Sequence, residues 1–295
     1  MASGMYRNFK FQISNLKFKK CAMGLMFVLV ARSGSAADAN VATSLFAQSA
    51  AQILKNEFQD PGVSFLLLDA RTGSLIASRW EKTEAPVPVG SLVKPFTALA
   101  YGERHDFRYP SFDCHGAKGG CWLPRGHGQI TIESALANSC NSYFRMLTAE
   151  MTGADLASTA RRFGLDPPPA NLAGAGLYGL GTEWAISPLN LARGYLELSR
   201  DSAQPEMRII LAGMLECARS GTGAGVGREL KAWSALAKTG TAACTHQKRA
   251  PGDGFTLALA PADEPRWLLL VRVHGVPGSK AAPIAGRILR RLEEY

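Results

Sequence analysis

The chain has 295 residues and a formal net charge of +9, with 46% hydrophobic and 19% charged residues. This composition is ordinary for a globular protein and is sufficient for one large domain or two lobes that share a core. The sequence contains no low-complexity tract, no internal repeat and no internal apolar run of the ~18 residues that read as a membrane-spanning helix.

Much of the positive charge lies in the N-terminal segment. Residues 1–36 contain six Lys and Arg residues but neither Asp nor Glu. The small excess that remains is spread over the rest of the chain, which is typical of a solvated surface and not of a phosphate-binding stripe. We therefore expect no nucleic-acid partner.

The same segment has the organisation of a secretory signal peptide. Basic residues up to Lys20 precede an apolar stretch at residues 22–31, and small residues suited to signal peptidase follow at 33–37. The apolar stretch is short for a spanning helix, which favours cleavage over a retained anchor. We predict a signal peptide over residues 1–36 and an exported, periplasmic or extracytoplasmic protein, which stays near the membrane only if the leader is not cleaved.

The six cysteines predict no metal site. Cys21 lies in the leader, and Cys114 and Cys121 flank a glycine-rich loop where they are placed to form a local disulfide in an oxidising compartment. A zinc site would have to recruit His115 or His127, but the spacing matches no established zinc motif. The odd number of cysteines that remains leaves at least one free thiol.

The spacing of apolar residues predicts helices at both ends and in the middle of the chain, with strands between them. The predicted helices cover residues 41–58, 91–101, 131–152, 156–163, 188–198, 205–218 and 282–294. The predicted strands cover residues 63–69, 75–80, 234–240, 255–260 and 267–273. A loop rich in Gly and Cys occupies residues 109–129, and Pro95 is expected in the first turn of its helix, where the missing N–H costs little.

This order of elements predicts an α+β fold. Strands joined by short turns favour a five-stranded antiparallel sheet, flanked by the terminal helices and accompanied by a mostly helical lobe. We expect residues 37–295 to form a single catalytic domain. Its α+β lobe would comprise about residues 41–88 and 230–295, and its helical lobe about 89–229, with the active site in the cleft between them.

A hydroxyl and an amine lie three residues apart at Ser91 and Lys94. On a helix, this spacing places both groups on one face and within reach of each other. A serine becomes a strong nucleophile when a neighbour takes its proton, and a lysine can do so once desolvation or a nearby cation keeps its amine neutral. Because such a pair also occurs by chance on solvated helices, it gains weight only beside other motifs.

Two further motifs supply complementary chemistry. The Ser-Cys-Asn sequence at residues 139–141 offers a hydroxyl that can relay a proton and an amide that can hold a substrate, although Ser and Asn also cap helices. The Lys-Thr-Gly-Thr sequence at residues 238–241 ends a predicted strand. There Lys and Thr suit a carboxylate and Gly permits close substrate approach, although a lysine is also common on an edge strand.

In this order, the three motifs are those of penicillin-binding proteins and serine β-lactamases. The chain resembles the transpeptidase domain of this superfamily, and the matching segments are residues 90–96, 126–128, 137–144, 187–192 and 238–242. The resemblance implies the penicillin-recognising, β-lactamase/transpeptidase-like fold. It also implies peptidoglycan stem peptides as substrates, β-lactams as covalent ligands, and no metal or organic cofactor.

The resemblance assigns a role to each motif residue. Ser91 would be the nucleophile, Lys94 its base and Ser139 a proton shuttle. Asn141 would hold the amide of the donor peptide. The substrate-binding strand would contribute Lys238, Thr239, Gly240 and Thr241. Backbone N–H groups of Ser91 and Thr241 would form the oxyanion hole.

Several activities share this acyl-enzyme. Transfer to an amine is D,D-transpeptidation, transfer to water is D,D-carboxypeptidase activity, and rapid hydrolysis of a β-lactam defines a serine β-lactamase. The segments that flank the motifs favour the transpeptidase. Glu183 is the nearby candidate for the deacylating glutamate of a β-lactamase, but its surroundings lack the pattern of that loop and favour a surface residue. A non-turnover penicillin-binding sensor or binding domain is a further alternative.

Overall fold

The computed structural model describes residues 36–244 and 252–294. The predicted signal peptide lies outside the described residues except for its last position, and it stays a prediction. Within the described ranges, no helix is both long enough and apolar enough to cross a membrane. The chain divides into two units, residues 1–40 and 41–295, and the second contains the sheet and the cavity described below.

The second unit contains nine strands and most of nine α-helices among the described residues. The strands are β1 (Val63–Asp69), β2 (Leu75–Arg79), β3 (Val87–Pro88), β4 (Phe112–Cys114), β5 (Gly128–Ile130), β6 (Ala185–Ile186), β7 (Leu236–Ala242), β8 (Asp253–Ala260) and β9 (Trp267–His274). The helices are α1 (Ala36–Glu57), α2 (Lys94–Arg104), α3 (Ile132–Ala137), α4 (Asn141–Leu147), α5 (Gly153–Arg162), α6 (Pro188–Arg200), α7 (Pro205–Arg219), α8 (Ala224–Glu229) and α9 (Gly278–Glu293).

Five of the strands form one antiparallel sheet in the order β2-β1-β9-β8-β7. The register places Phe65 of β1 opposite Val271 of β9, and Thr239 of β7 opposite Thr256 of β8. The predicted α+β class with a five-stranded antiparallel sheet is therefore confirmed. Strands β2 and β7 form the two outer edges, and β7 carries the Lys-Thr-Gly motif.

The sheet is buried on both faces because alternate residues of its strands belong to different cores. On β1, Leu66 and Leu68 join a core that includes residues of α2, α6 and α7, whereas Phe65 and Leu67 join a core with residues of α1 and α9. Each fully buried leucine contributes roughly 2 kcal/mol through removal of apolar surface from water. The two cores hold β7, and thus its motif, in a fixed place.

The segment that begins at Ser91 differs from the prediction because its first turn is a 3₁₀ turn and not α-helix. The turn spans Gly90–Val93 and leads into α2 at Lys94. An α-helix that started at Ser91 would need the N–H of Pro95 to bond the carbonyl of Ser91, and proline has none. The N–H of Lys94 bonds that carbonyl instead.

The helix predicted over residues 131–152 is wrong in its middle, because the structure splits it into α3 and α4. Ser139 has a φ of 52°, in the left-handed region that ends a helix for a residue with a side chain. The turn between the helices is closed by backbone bonds from Ser139 to Leu136 and from Cys140 to Ala135. This break aims the Ser-Cys-Asn segment away from the helix axis. The short helix α8 was not predicted.

Candidate active site

A cavity of about 370 Å³ lies along the edge strand β7. Six of the residues predicted for the site line it: Ser91, Ser139, Asn141, Thr239, Gly240 and Thr241. The other two, Lys94 and Lys238, are fully buried beneath it. The structure thus brings all eight predicted residues together, although they come from three distant parts of the chain.

The turn that carries Ser91 is held from below by buried hydrogen bonds. The Tyr195 hydroxyl donates to the carbonyl of Leu92 in the turn at 2.7 Å, and the Thr97 hydroxyl of the following helix α2 donates to the carbonyl of Leu177 at 2.6 Å. The Ser91 side chain lies at the cavity with 8% of the residue exposed. Residues three apart in a 3₁₀ turn eclipse each other, so Ser91 and Lys94 lie on the same side of this turn.

The amine of Lys94 is anchored to the Ser-Cys-Asn segment. Its Nζ donates to the carbonyl of Ser139 at 2.8 Å and to Oδ1 of Asn141 at 2.7 Å. A longer contact of 3.3 Å joins Nζ to Oγ of Ser139. The Phe144 ring lies 5.2 Å from the amine and excludes water from that side.

Burial and a second cation both favour the neutral form of Lys94. Desolvation lowers its pKa most, and the charge of Lys238 lowers it further, so that the pKa lies well below the ordinary value. Cys140 and Cys121 oppose this shift. Burial also lowers the pKa of Lys238, to about 8. The arrangement can therefore provide an uncharged amine near neutral pH.

Strand β7 lies in close contact with the 3₁₀ turn at Gly90–Val93. A Cβ atom built on Gly90, which has a φ of 61°, would lie 2.3 Å from the carbonyl oxygen of Thr241. A Cβ atom on Gly240 would lie 2.4 Å from the carbonyl oxygen of Val89. Only glycine fits at both positions, because the two backbones meet there. This contact brings the backbones of Ser91 and Thr241 to the same part of the cavity.

The Lys-Thr-Gly motif is linked to the Ser-Cys-Asn turn by a chain of polar contacts. Lys238 Nζ donates to Oγ of Ser139 at 3.0 Å and to the carbonyl of Thr239 at 2.8 Å. The Thr239 and Thr222 hydroxyls are 2.6 Å apart, and Thr222 N–H donates to the carbonyl of Ala137. These contacts fix the positions of the polar groups at the cavity wall.

Part of the cavity wall was not predicted from the sequence. The additional lining residues are Trp122, Leu180, Thr222, Pro277 and Ser279. Trp122 is 51% exposed, and its indole N–H donates to the carbonyl of Asn138 at 3.0 Å. In the sequence, Trp122 is a tryptophan in a loop and Thr222 is a threonine between two glycines. Neither pattern predicts that the residue lines this cavity.

Glu183, the candidate for a deacylating glutamate, is an exposed residue. Its Oε2 accepts a hydrogen bond from the Thr182 N–H at 2.9 Å. Glu183 is not among the described residues that line the cavity. This placement agrees with the interpretation of Glu183 as a surface residue.

Cys114 and Cys121 are free thiols, so the disulfide considered from the sequence is not formed. A third sulfur lies beside them: Cys140 Sγ is 3.5 Å from that of Cys114 and 3.8 Å from that of Cys121. His127 completes the group, because its Nδ1 is 3.5 Å from the sulfurs of Cys114 and Cys121. His115 is exposed and lies outside this cluster.

These four residues could hold a metal ion, whereas the cysteine spacing in the sequence predicted no metal site. Burial on its own would raise the pKa of the Cys114 thiol, but hydrogen bonds from Gly116 and His127 outweigh it and lower the pKa to about 6. Burial raises the pKa of Cys140. Of Cys114 and Cys140, Cys114 is therefore the sulfur that loses its proton first.

A second group of potential ligands lies at the far end of β7. His274 Nδ1 is 2.9 Å from the Asp253 carboxylate and 3.6 Å from the sulfur of Cys244. Their ligand atoms also lie within 4.8 Å of one another. This group adjoins residues 245–251, which are outside the described part of the chain.

A match to a known protein family identifies the relatives of this chain. Residues 63–291 match the family described as penicillin binding protein transpeptidase domain. The chain belongs to this family. Domains of this kind are generally extracytoplasmic and carry out acyl transfer from peptides. No curated protein sequence matches the chain.

Solved structures share the fold at low sequence identity. Penicillin-binding protein 2 of Pseudomonas aeruginosa, solved in complex with WCK 5153, is 18% identical with a TM-score of 0.66, over 83% of this chain and 76% of that chain. Penicillin-binding protein 2 of Helicobacter pylori, solved in complex with MreC, is 19% identical with a TM-score of 0.66, over 84% of this chain and 62% of that chain. The transpeptidase domain of the FtsI4 D,D-transpeptidase from Legionella pneumophila is 18% identical with a TM-score of 0.60, over 85% of this chain and 96% of that chain.

Proposed function

We propose that the chain is a penicillin-binding D,D-transpeptidase that acts on peptidoglycan stem peptides through an acyl-enzyme at Ser91. The observation that carries this proposal is the buried amine of Lys94, whose pKa is held low beneath the nucleophile turn. A neutral amine one turn from a serine, beside a cavity, is the arrangement that activates a hydroxyl for acyl transfer.

Acylation begins when Lys94 Nζ accepts the proton of the Ser91 hydroxyl. The Ser91 oxygen attacks the carbonyl carbon between the two terminal D-Ala residues, and the carbonyl oxygen becomes an oxyanion. Backbone N–H groups of Ser91 and Thr241 stabilise that oxyanion, and each such donor contributes typically about 3–4 kcal/mol. The C–N bond then breaks, and the leaving D-Ala amine takes, by way of Ser139, the proton that Lys94 accepted from Ser91.

Deacylation follows the same path in reverse with a new nucleophile. An amine of a neighbouring stem peptide gives up its proton through Ser139 and Lys94 and attacks the ester carbon, and Ser91 leaves. Attack by water instead would be carboxypeptidase activity. A β-lactam forms the same ester at Ser91 when its ring opens, and slow attack by water then leaves a stable adduct.

The polar cavity wall supports binding of a peptide with a free C-terminus. The Thr239 and Thr241 hydroxyls, with the nearby cation of Lys238, suit the terminal carboxylate. Oδ1 of Asn141 accepts from Lys94, which leaves its Nδ2 to donate to a carbonyl of the donor peptide. Ser91 between these groups would face the scissile bond.

The proposal extends to the organisation of the chain. We infer that residues 1–36 direct export and that residues 37–295 act as one catalytic domain outside the cytoplasm. The basis is the basic and apolar pattern of the leader together with the extracytoplasmic nature of the family.

A fluorescent penicillin tests the acyl-enzyme, and a stem pentapeptide tests its fate. We expect a stable adduct on the wild-type chain and none on Ser91→Ala, with both melting temperatures within a few degrees because one hydroxyl contributes little stability. With a pentapeptide, cross-linked dimer supports the transpeptidase. Trimmed tetrapeptide alone would indicate a carboxypeptidase, rapid drug hydrolysis a β-lactamase, and no labelling a binding scaffold.

A further inference from the structure

We infer that Cys114, Cys121, His127 and Cys140, together called the Cys3His cluster, bind one structural zinc ion that holds the Ser-Cys-Asn turn in its active form. The ligand atoms of all four residues lie within 4.8 Å of one another. Three thiols and an imidazole are a donor set that favours Zn²⁺ in tetrahedral geometry.

The distances within the cluster match a tetrahedral zinc site. With Zn–S bonds of about 2.3 Å and a Zn–N bond of about 2.0–2.1 Å, neighbouring sulfurs lie ~3.8 Å apart and sulfur lies ~3.6 Å from nitrogen. The two sulfur pairs that include Cys140 are 3.5 and 3.8 Å apart. Both distances from His127 Nδ1 to sulfur are 3.5 Å. A disulfide would need two of these sulfurs at about 2.05 Å.

The loop that carries three of the ligands is built to bring them together. Cys114 ends β4 and His127 immediately precedes β5, and these strands pair with each other. Gly126, with a φ of 80°, lies so close to β4 that a Cβ atom there would be 2.0 Å from the carbonyl oxygen of Cys114. A Cβ atom on Gly116 would be 2.1 Å from the carbonyl oxygen of Pro124. The backbone is thus folded tightly around the sulfurs.

The orientation of the imidazole supports a ligand role for His127. Its Nδ1 faces the sulfurs, while its Nε2 is buried without a hydrogen-bond partner among the described residues. A neutral imidazole that binds metal through Nδ1 keeps its proton on Nε2. The cysteines are also buried, which is typical of a closed structural site with four protein ligands.

The fourth ligand connects the cluster to the active site. Cys140 lies between Ser139 and Asn141, the residues whose oxygen atoms hold the amine of Lys94. Ser139 also has a left-handed backbone, which is costly for a residue with a side chain and needs support from its surroundings. A zinc ion on Cys140 would supply that support by tying the turn to the β4–β5 loop.

Metal content tests the site independently of any activity. We expect about one zinc ion per chain in protein prepared under reducing conditions with zinc supplied, and loss of it in Cys121→Ser and in His127→Ala. Cys244→Ser, the matched control in the second ligand group, should keep this zinc. Cobalt added to zinc-stripped wild-type protein should give the sulfur-to-cobalt charge-transfer and visible bands of a tetrahedral thiolate site, so the proposal does not depend on the folding of a variant.

Three results would overturn the zinc site. The first is that the wild-type protein takes up neither zinc nor cobalt. The second is that Cys121→Ser leaves the zinc content unchanged. The third is that the intact mass shows a Cys114–Cys121 disulfide in the protein as prepared. The last would restore the pairing considered from the sequence, because zinc and the disulfide need the same sulfurs.

The link to catalysis, which rests on the proposed function, is tested with a fluorescent penicillin. Removal of zinc from wild-type protein should slow acylation at least about tenfold, the lower end for loss of a metal-site interaction. Added zinc should restore the rate, and added magnesium should not. Equal rates with and without bound zinc would refute the link. If neither form is labelled, the proposed function fails, while metal content and cobalt spectra still decide the zinc site.

Discussion

The amines of Lys94 and Lys238 converge on one atom, Oγ of Ser139, at distances of 3.3 and 3.0 Å. A positive charge on one lysine so close to the other disfavours a second positive charge. Because only a neutral Lys94 can accept the proton of Ser91, Lys238 would govern the rate of acylation as well as binding of a carboxylate.

Replacement of Lys238 by glutamine should shift the pH dependence of acylation. Below about pH 8 the wild-type Lys238 is charged and lowers the pKa of Lys94. Loss of that charge raises the pKa of Lys94, so the fall in rate on the acid side should move to higher pH. The measurement is the second-order rate of penicillin labelling from pH 5 to 9.

Lys238→Arg serves as the control for this experiment because it retains a charge at the same position. Its rates should be lower at every pH, since the geometry of carboxylate binding changes, but the midpoint of the acid limb should stay close to that of wild type. A Gln variant with an unshifted midpoint would show that the charge of Lys238 does not act on Lys94.

The buried Lys238 should make the protein more stable as the pH rises from 8 to 10. In the folded state its pKa is about 8, whereas an unfolded lysine has a pKa of about 10.4. Between these values the unfolded state binds the extra proton, so the free energy of unfolding increases by up to about 1.4 kcal/mol per pH unit from this group.

Urea unfolding of wild type and Lys238→Met at pH 7, 8, 9 and 10 measures this contribution. The difference in stability between the two proteins should change across the window, because buried Lys94 stabilises both proteins as the pH rises and only wild type has the additional gain from Lys238. Lys280→Met removes an exposed lysine of α9 and should track wild type. Parallel curves for wild type and Lys238→Met would contradict a buried lysine that is neutral above pH 8.

Gly240→Ala should damage both the fold and the site, since its new methyl group would lie 2.4 Å from the backbone oxygen of Val89. Separation of β7 from the 3₁₀ turn that carries Ser91 would cost about 1–3 kcal/mol, as overpacking usually does. We expect a lower melting temperature and at least a tenfold loss of labelling rate, since about 1.4 kcal/mol of lost transition-state stabilisation suffices for that.

Gly62→Ala is the matched substitution outside the site. The atom nearest to its added Cβ is Oδ1 of Asp60 at 3.3 Å, which belongs to a side chain that can move. Its labelling rate should equal that of wild type. A Gly240→Ala protein that labels as fast as Gly62→Ala would show that close contact between β7 and the turn is not needed for acylation.

Glu183→Gln should leave the lifetime of the penicillin adduct unchanged. The carboxylate is exposed and bonds the neighbouring Thr182 N–H, so it is poorly placed to activate water at an ester on Ser91. The adduct is followed by mass spectrometry over several hours at neutral pH. A clear lengthening of its lifetime in the variant would assign Glu183 a role in hydrolysis and favour the β-lactamase alternative.

The sequence was sufficient for the long regular elements and for the motifs. Strand β1 was predicted with the observed bounds, because its apolar run is bounded by residues that favour turns. Ser91, Lys94 and Lys238 were predicted as site residues from the chemistry of their side chains and from the order of their motifs along the chain. Neither requires coordinates. The strained turn at Ser139 was missed, because the helical pattern continues through it and φ is set by tertiary contacts.

Features assembled from distant segments could not be predicted. The Cys3His cluster was overlooked because Cys140 belongs to a different motif from Cys114 and Cys121, and no local spacing joins them. Thr222 and Trp122 line the cavity for the same reason, namely that packing of α7, β7 and the β4–β5 loop places them there. A sequence pattern reports neighbours along the chain, whereas these sites depend on neighbours in space.

The pairing of β1 with β9 has a consequence for biosynthesis. The two strands run side by side from Val63 opposite Val273 to Asp69 opposite Trp267, so the centre of the sheet joins the beginning of the domain to its end. Contacts between such distant segments form late and slowly. A nascent polypeptide that has not yet delivered β7, β8 and β9 has neither its scaffold nor Lys238. It would not react with penicillin until the segment that contains β7, β8 and β9 has been synthesised. Proteolytic removal of that segment would likewise abolish the reaction.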